Sequence, residues 1–434
     1  MLNAGFGSTD ITPEHPTPLA GFGKARTACH EGIHDRISAN CVFFRNGNES
    51  VAVLSCEVIG LRAELCERIR ERLPASLGLA PKRLVVTGTH THGAPVLQGE
   101  YLDFFLDRAA AAVQAAHADL RPAVLKSGIG RHREWMGFNR RHLETGFLPV
   151  DREAAFLTIG EKDGSLRGLV FNYSCHPSIL GPDNLLVTAD WPAHTAAMLR
   201  EALGKDLRVV FLQGTSGDIN SGYNAGVSSL GVKIPTRTRE TAKSCGETVA
   251  RALLEAIPSS TPMPDPAIHF ASVLREIERI PPDGLEAAWE AVVKREAEVE
   301  RLTAESAHSP AILMAKVEAA YAHFCVTALE ENAARPALRE TIRQTAFAIG
   351  DAGFLGFPGE FLVESGLQLK AASRFTTTFP LGIANDYLGY FPPANAFAEG
   401  GYEVACAKFT GETADSWTRS GSDLLNSLHP TTQP

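Results

Sequence analysis

Two histidines sit two residues apart in Val85-Val86-Thr87-Gly88-Thr89-His90-Thr91-His92-Gly93-Ala94-Pro95, where a β-branched run gives way to small, turn-prone residues. In an extended backbone, residues two apart point to the same side, so His90 and His92 are expected to face one pocket at the mouth of a strand. Imidazole is the commonest metal ligand and the usual general base near neutral pH. The pair can divide those tasks, one ring on a metal and the other on reacting water. The Gly93-Ala94-Pro95 continuation departs from the His-x-His-x-Asp-His pattern of binuclear hydrolases, so further ligands must come from elsewhere in the chain.

Other polar groups follow strand-like runs. His176 comes after Phe171-Asn172-Tyr173-Ser174-Cys175 and before Pro177. Glu360 comes after Gly356-Phe357-Pro358-Gly359, and Asn385, Asp386, Tyr387 and Tyr390 come after Phe379–Ala384. A carboxylate, imidazoles and a phenol converging at strand ends would make a metal site with an open position for water. Each has a structural alternative: a His before Pro can end a strand, and Tyr-x-x-Tyr can pack in a core. Cys175 can be a soft ligand or a small buried side chain. Asp190, in Thr188-Ala189-Asp190-Trp191-Pro192, reads equally as a partner that fixes a histidine tautomer or as a helix N-cap.

The elements that must position these groups read as α/β up to about residue 260. Cys41–Phe44 and Ser50–Ser55 are strand-like, with Asn46-Gly47 as a hairpin turn between them. Arg62–Leu73 has helical apolar spacing, Arg83–Val86 returns to strand, and Leu102–Leu120 is Ala-rich and helical. Gly168–Tyr173 and Arg208–Leu212 read as strands flanking a helix around Ala193–Leu203, which suggests crossover units in a mixed or parallel sheet. Leu285–Ala304 and Pro310–Ala334 are rich in Ala, Glu, Lys and Leu and read as an antiparallel helical pair, an insertion over about 284–334. Strands resume at Gln344–Ile349 and Gly353–Phe357. The expected organisation is one catalytic domain over residues 1–427, with a disordered tail over 428–434.

Composition narrows the function classes. The chain has 434 residues, 44% hydrophobic and 21% charged, as globular proteins do. A formal charge of −9 offers no basic face, so a nucleic-acid partner is not expected. The N-terminus has no basic stretch followed by an apolar one, and no run is expected to approach the ~20 apolar residues of a membrane span. The eight cysteines form no Cys-x-x-Cys pair, which fits reduced thiols and a cytoplasmic location.

Five motifs in fixed order are more specific than any of them alone: Thr89-His90-Thr91-His92, Cys175-His176-Pro177, Pro358-Gly359-Glu360-Phe361, Asn385-Asp386-Tyr387-Leu388-Gly389-Tyr390 and Glu399-Gly400-Gly401-Tyr402-Glu403. Together with Gly7–Thr12 and Gly32–Asp35, they resemble the neutral/alkaline (non-lysosomal) ceramidase family of zinc-dependent amidases, from Gly5 to about Phe409, without the helical insertion. The resemblance implies one zinc ion per chain, with His90, His176, Glu360 and Tyr390 as its ligands. It implies that His92 stands beside the metal-activated water as general base and later acid, and that Tyr402 donates to the developing oxyanion. It places Arg140 at the site, with Arg141 open as the alternative by a one-residue slip. The physical chemistry agrees: zinc brings the pKa of water toward ~7, and a well-placed oxyanion donor is worth roughly 3–4 kcal/mol.

Departures from the family narrow the expectation. Where true ceramidases carry a loop serine once considered the nucleophile, Gln213–Ser221 has Asn220, read as a hydrogen-bonding group toward substrate or loop. Neither Ser216 nor Ser221 sits in Gly-x-Ser-x-Gly. Too few residues follow the last motif for the family's C-terminal β-sandwich domain. The expectation is therefore a zinc hydrolase that cleaves an amide smaller than ceramide by metal-activated water. An esterase or lactonase on the same site, or a non-catalytic metal-binding homologue, remains open, although the latter would be free to lose His92 and Tyr402. The helical pair could cover the pocket or form a contact in a homo-oligomer.

Overall fold

Three mixed sheets meet at a shared apolar core, and the loops at their strand ends carry the polar groups singled out above. The computed structural model describes residues 1–430 apart from 134–135 and 143–148. In the first sheet, β1 (Leu2–Asp10), β2 (Ser38–Asn46) and β3 (Glu49–Cys56) are antiparallel neighbours. β4 (Leu84–Gly88) joins β3 in parallel after a crossover through α1 (Ala63–Glu71). Asn46 pairs with Glu49, so the turn residues are Gly47 and Asn48, one position later than expected; Gly47 takes φ 58°, where a side chain would be strained. On α2 (Gly99–Ala118), Phe105, Ala109, Ala112, Val113 and Ala116 recur at helical spacing and are buried against this sheet.

The second sheet runs β8–β7–β6–β5, from β5 (Val124–Arg131), β6 (Glu153–Gly160), β7 (Leu166–Tyr173) and β8 (Arg208–Gln213), with Thr261–Met263 on its edge. β7 and β8 are parallel, joined through α3 (Trp191–Leu203), which is the crossover expected from the sequence. The short α4 (Ala225–Ser229) and the longer α5 (Arg239–Ala256) follow.

The third sheet holds β9 (Ile268–Glu278), β10 (Arg339–Ile349), β11 (Ala352–Gly356) and β12 (Thr377–Leu381). β9 and β10 are antiparallel from Ile268↔Ile349 to Glu278↔Arg339. Between them stand α6 (Leu285–Ala304) and α7 (Ser309–Ala333). The helical insertion is thus an excursion from one long hairpin. The Arg295–Glu318 ion pair and the His323–Glu296 hydrogen bond cross between the two helices, which the short connection over 305–308 turns back on each other. By length and composition α7 could cross a membrane, a property the sequence reading passed over; here it packs on α6 and α4. α8 (Val363–Ala372) and α9 (Gly411–Asn426) close the chain's last core. Leu428 packs against that core and His429 stacks edge-on to Phe375, while residues 431–434 lie outside the described ones.

β1, β5, β6 and β9 were not anticipated. Glycines interrupt β1 and β5, and β9 mixes half-exposed polar and apolar residues, so these three do not read as buried runs, whereas β6, with Ala154–Ile159 buried, is an apolar run that went unread. The shared core takes Phe44 and Val53 from the first sheet, Leu157 and Val170 from the second, and Phe347 and Phe354 from the third. Phe347, Phe354 and Phe379 stack with successive ring centroids 4.3 Å apart. Full burial of each such ring stabilises the fold by about 1.5–3 kcal/mol. Backbone hydrogen bonds then tie the strand ends together: Gly88 N–H donates to Ile383, and Gly382 N–H to Gln213. The loops after β4, β8 and β12 are therefore held side by side.

Candidate active site

β4 ends at Gly88, and His90 takes φ 70° with its N–H on the Val58 carbonyl. The chain turns here rather than running extended. His90 and His92 still converge, with ring centroids 5.0 Å apart, but through a turn and not through strand alternation. His90 Nδ1 donates to the Ile59 carbonyl at 2.6 Å, and His176 Nδ1 donates to the Ile219 carbonyl at 3.0 Å. A carbonyl only accepts, so each Nδ1 carries a proton, and in the neutral form of either ring Nε2 is the nitrogen that offers a lone pair.

Those two Nε2 atoms lie 3.3 Å and 3.1 Å from Glu360 Oε2. Burial works to raise the Glu360 carboxyl, but His90 and His176 outweigh it and hold the group well below the usual range. Burial and Arg140 push His176 down to about 4, so it is neutral at pH 7. Both Nε2 atoms and a carboxylate oxygen therefore face one another in a buried site. Such a cluster repels itself unless a cation or a shared proton sits among them. His92 adds a third imidazole: ligand nitrogens of His90, His92 and His176 all lie within 4.8 Å of one another, close enough to hold one metal ion. Both His92 ring nitrogens are buried and without a hydrogen-bond partner among the described residues, and burial with the neighbouring imidazoles holds the ring neutral.

Glu360 and Tyr390 are register partners in a short parallel ribbon, Glu360–Phe361 against Tyr390–Phe391. Arg140 Nη2 donates to the Tyr390 hydroxyl at 3.0 Å and to the Gly217 carbonyl at 2.7 Å, while its Nε pairs with Glu403 at 2.5 Å. Arg141 turns away to Asp218, Glu364 and Glu399, so Arg140 is the arginine that reaches the site. The Tyr402 ring lies 5.6 Å from that of Tyr390. The seven residues to which the resemblance gives a metal-binding or catalytic role are thus gathered around one centre.

Three other readings resolve. Asp190 is the N-cap of α3, accepting from Trp191 and also from Ile179 and Leu180, and it touches no histidine. Asn220 bonds Gly222 and Tyr223 backbone and serves the loop rather than a ligand. Cys175 is fully buried, its thiol pushed up by burial, and it stands outside the histidine cluster.

Sequence reasoning underrated Tyr387, whose hydroxyl donates to Glu360 Oε1 at 2.7 Å. It also missed the Gly21-Phe22-Gly23 turn. Phe22 packs 4.7 Å from the His92 ring, and Gly21, at φ 111°, passes so close that a Cβ would lie 2.5 Å from His92 Nδ1. A Gly-aromatic-Gly triplet was the available signal.

From this centre a pocket of about 570 Å³ opens past Phe22 and Tyr223 to the Phe324 face of α7. Phe324 stands edge-on to Tyr402 at 5.7 Å. α7 sits tightly on α4, because a Cβ on Gly226 would lie 2.4 Å from Val317 and 2.5 Å from the Tyr321 hydroxyl. The insertion is thus a wall of the pocket.

A mixed α/β fold with no closed barrel and a histidine-rich centre at its strand ends defines the class. No family model matches the chain. The neutral ceramidase of Mycobacterium tuberculosis (strain ATCC 25618 / H37Rv) is 24% identical over 271 residues, which span 52% of this chain and 41% of that protein. The crystal structure of neutral ceramidase from Pseudomonas aeruginosa covers 98% of this chain and 74% of its own, with a TM-score of 0.74 at 17% identity. A ceramidase complexed with C2 covers 98% and 75%, with a TM-score of 0.68 at 17% identity. The chain is neutral-ceramidase-like, as its ordered motifs suggested, and has the ceramidase fold.

Proposed function

We propose that this chain is a zinc-dependent hydrolase of amide bonds in N-acyl compounds smaller than ceramide. The observation that carries the reading is the convergence of His90 Nε2, His176 Nε2 and Glu360 Oε2, with both Nδ1 atoms pinned by carbonyls. Nitrogen and carboxylate donors with a phenol nearby suit zinc, so His90, His176, Glu360 and Tyr390 would hold it. When bound, zinc supplies Lewis acidity and lowers the pKa of water toward ~7.

The chain's own groups do the rest. His92, neutral and free at both ring nitrogens, takes a proton from the attacking water as the C–O bond forms. It returns that proton to the leaving nitrogen as the C–N bond breaks. Tyr402 and Arg140 line the pocket beside His92 and are placed to donate to the carbonyl oxygen as it gains charge. The pocket's 570 Å³, bounded by Phe324, favours a substrate of modest size. Elemental mass spectrometry of the purified protein, with Glu360→Ala as control, tests the reading. About one zinc per chain, lost in the variant, is expected; no stoichiometric metal in either protein would remove the hydrolase assignment.

A further inference from the structure

The arginines of this fold divide into two kinds. Arg70, Arg140, Arg167 and Arg279 are buried, and each has a carboxylate within ion-pair distance: Glu67, Glu403, Asp119 and Glu340. Arg26 and Arg237 are 5% and 7% exposed, and among the described residues neither has a carboxylate so close. Arg26 donates to the carbonyls of Ala20, His92 and Asn184. Arg237 donates to those of Ser178, Ile179 and Leu180 and to the Ser228 hydroxyl. Neutral acceptors satisfy the N–H groups without cancelling the charge. Asp190 is within electrostatic reach of Arg237 and offsets part of its charge, but its oxygens accept from three backbone amides and it forms no ion pair with Arg237. Burial and Arg237 push Arg26 down to about 10, still charged at neutral pH.

Both arginines without an ion pair among the described residues stand at one place. Their guanidinium carbons lie 4.8 Å and 5.2 Å from the Phe22 ring, whose other neighbour is His92. Lys24, two residues on, lines the same pocket and is exposed, with no ion pair among the described residues. No Asp or Glu is among the described residues that line the pocket, in a chain whose net charge is −9. Lys24 thus faces the pocket, while the buried Arg26 and Arg237 stand against the Phe22 ring that forms one of its walls and give that wall a positive potential, partly sheltered from solvent screening.

We propose that the pocket takes an amide whose amine part carries an anionic group, a carboxylate or a phosphate, seated by Lys24 and the Phe22 wall. The proposal rests on the amide-hydrolase reading for what is cleaved, and on the charges alone for what is bound. An N-acyl amino acid has the required form: an apolar acyl chain, an amide and a terminal carboxylate.

Titration calorimetry on the purified protein at low salt tests it with N-octanoylglycine, N-octanoyl-O-phosphoethanolamine and the uncharged N-octanoylglycinamide. At least one acid is expected to bind about tenfold or more tightly than the glycinamide, with the ratio falling as salt rises. In Lys24→Glu, an exposed position, the ratio of acid to glycinamide affinity is expected to shrink about tenfold. The tighter of the two acids identifies the group. Equal binding of all three, or binding of none, overturns the proposal. So does an acid preference that Lys24→Glu leaves intact, since the anion would then sit at the histidine centre. Hydrolysis of the same compounds is read separately: if none is cleaved while the acid preference and its Lys24 dependence hold, the amidase reading falls and the anion site stands.

Discussion

The Tyr387 hydroxyl donates to Glu360 Oε1 at 2.7 Å, which leaves Oε2 of the same carboxylate to face His90 and His176. Tyr387 therefore decides which oxygen is offered to the centre. Burial and the adjoining carboxylate push the phenol well up, so it remains a donor throughout the neutral range. Tyr387→Phe keeps the ring against His90, 5.7 Å between centroids, and removes only the hydrogen bond. Metal affinity is expected to fall by roughly 10–100-fold, as when other supporting hydrogen bonds to ligands are lost. Competition with a chromophoric chelator measures this; unchanged affinity would mean that Glu360 is oriented by its ribbon with Tyr390 alone.

His92 divides two accounts of the same cluster. It belongs geometrically to a three-imidazole group, yet neither of its nitrogens is pinned by a carbonyl as those of His90 and His176 are. An unpinned ring suits proton transfer. His92→Ala is expected to retain the metal and to slow turnover by roughly 10²-fold or more. Elemental analysis beside kcat decides the matter. Loss of metal with activity would place His92 among the ligands; wild-type kcat would remove it from the chemistry.

Much of this site was legible in the sequence because its polar residues lie in short motifs at strand ends. His90, His176 and Glu360 each follow a recognisable apolar run, and so could be placed on neighbouring loops before any contact was known. The reason given for the His90–His92 convergence was wrong, because φ at a single residue cannot be read from composition. The Glu360↔Tyr390 pairing and the Tyr387 hydrogen bond were hidden because both depend on the register of a two-residue ribbon. The cationic wall was hidden for another reason. Lys24, Arg26 and Arg237 look like any basic residues until the fold shows which ones form no ion pair among the described residues. The insertion could be delimited by composition, but its seat on α4 depends on Gly226, ordinary in sequence and decisive in contact.

Glu57 gives a stability prediction away from the histidines. Its carboxylate accepts from Ser38 N–H at 2.6 Å and lines a polar cavity with Asp35 and Arg200. Burial pushes it up to about 8, against the lowering effect of the Ser38 hydrogen bond. A folded-state value above the unfolded one means the protonated form favours folding. That contribution is fully present below about pH 4.3 and is lost progressively as pH rises toward 8. Glu57→Gln, which cannot ionise, is expected to flatten this decline, with a higher Tm than wild type at pH 8.5 and little difference at pH 4. Parallel pH profiles for the two proteins would show that Glu57 is solvated like any surface carboxylate.

Phe324 links the insertion to the chemistry, since its ring both bounds the pocket and stands edge-on to Tyr402. Phe324→Ala removes the bound on chain length. Each additional buried methylene contributes about 0.8 kcal/mol, so acyl chains longer than the wild type prefers should gain about fourfold in kcat/KM per carbon in the variant. The same change frees one face of Tyr402, and an aromatic contact of this kind is worth about 0.5–1.5 kcal/mol. Turnover of the shortest substrates is therefore expected to fall by a few fold even as longer ones improve. A series of N-acyl glycines of increasing chain length, assayed on both proteins, separates the two effects. If the preferred length does not move, α7 holds Tyr402 in place but does not measure the substrate.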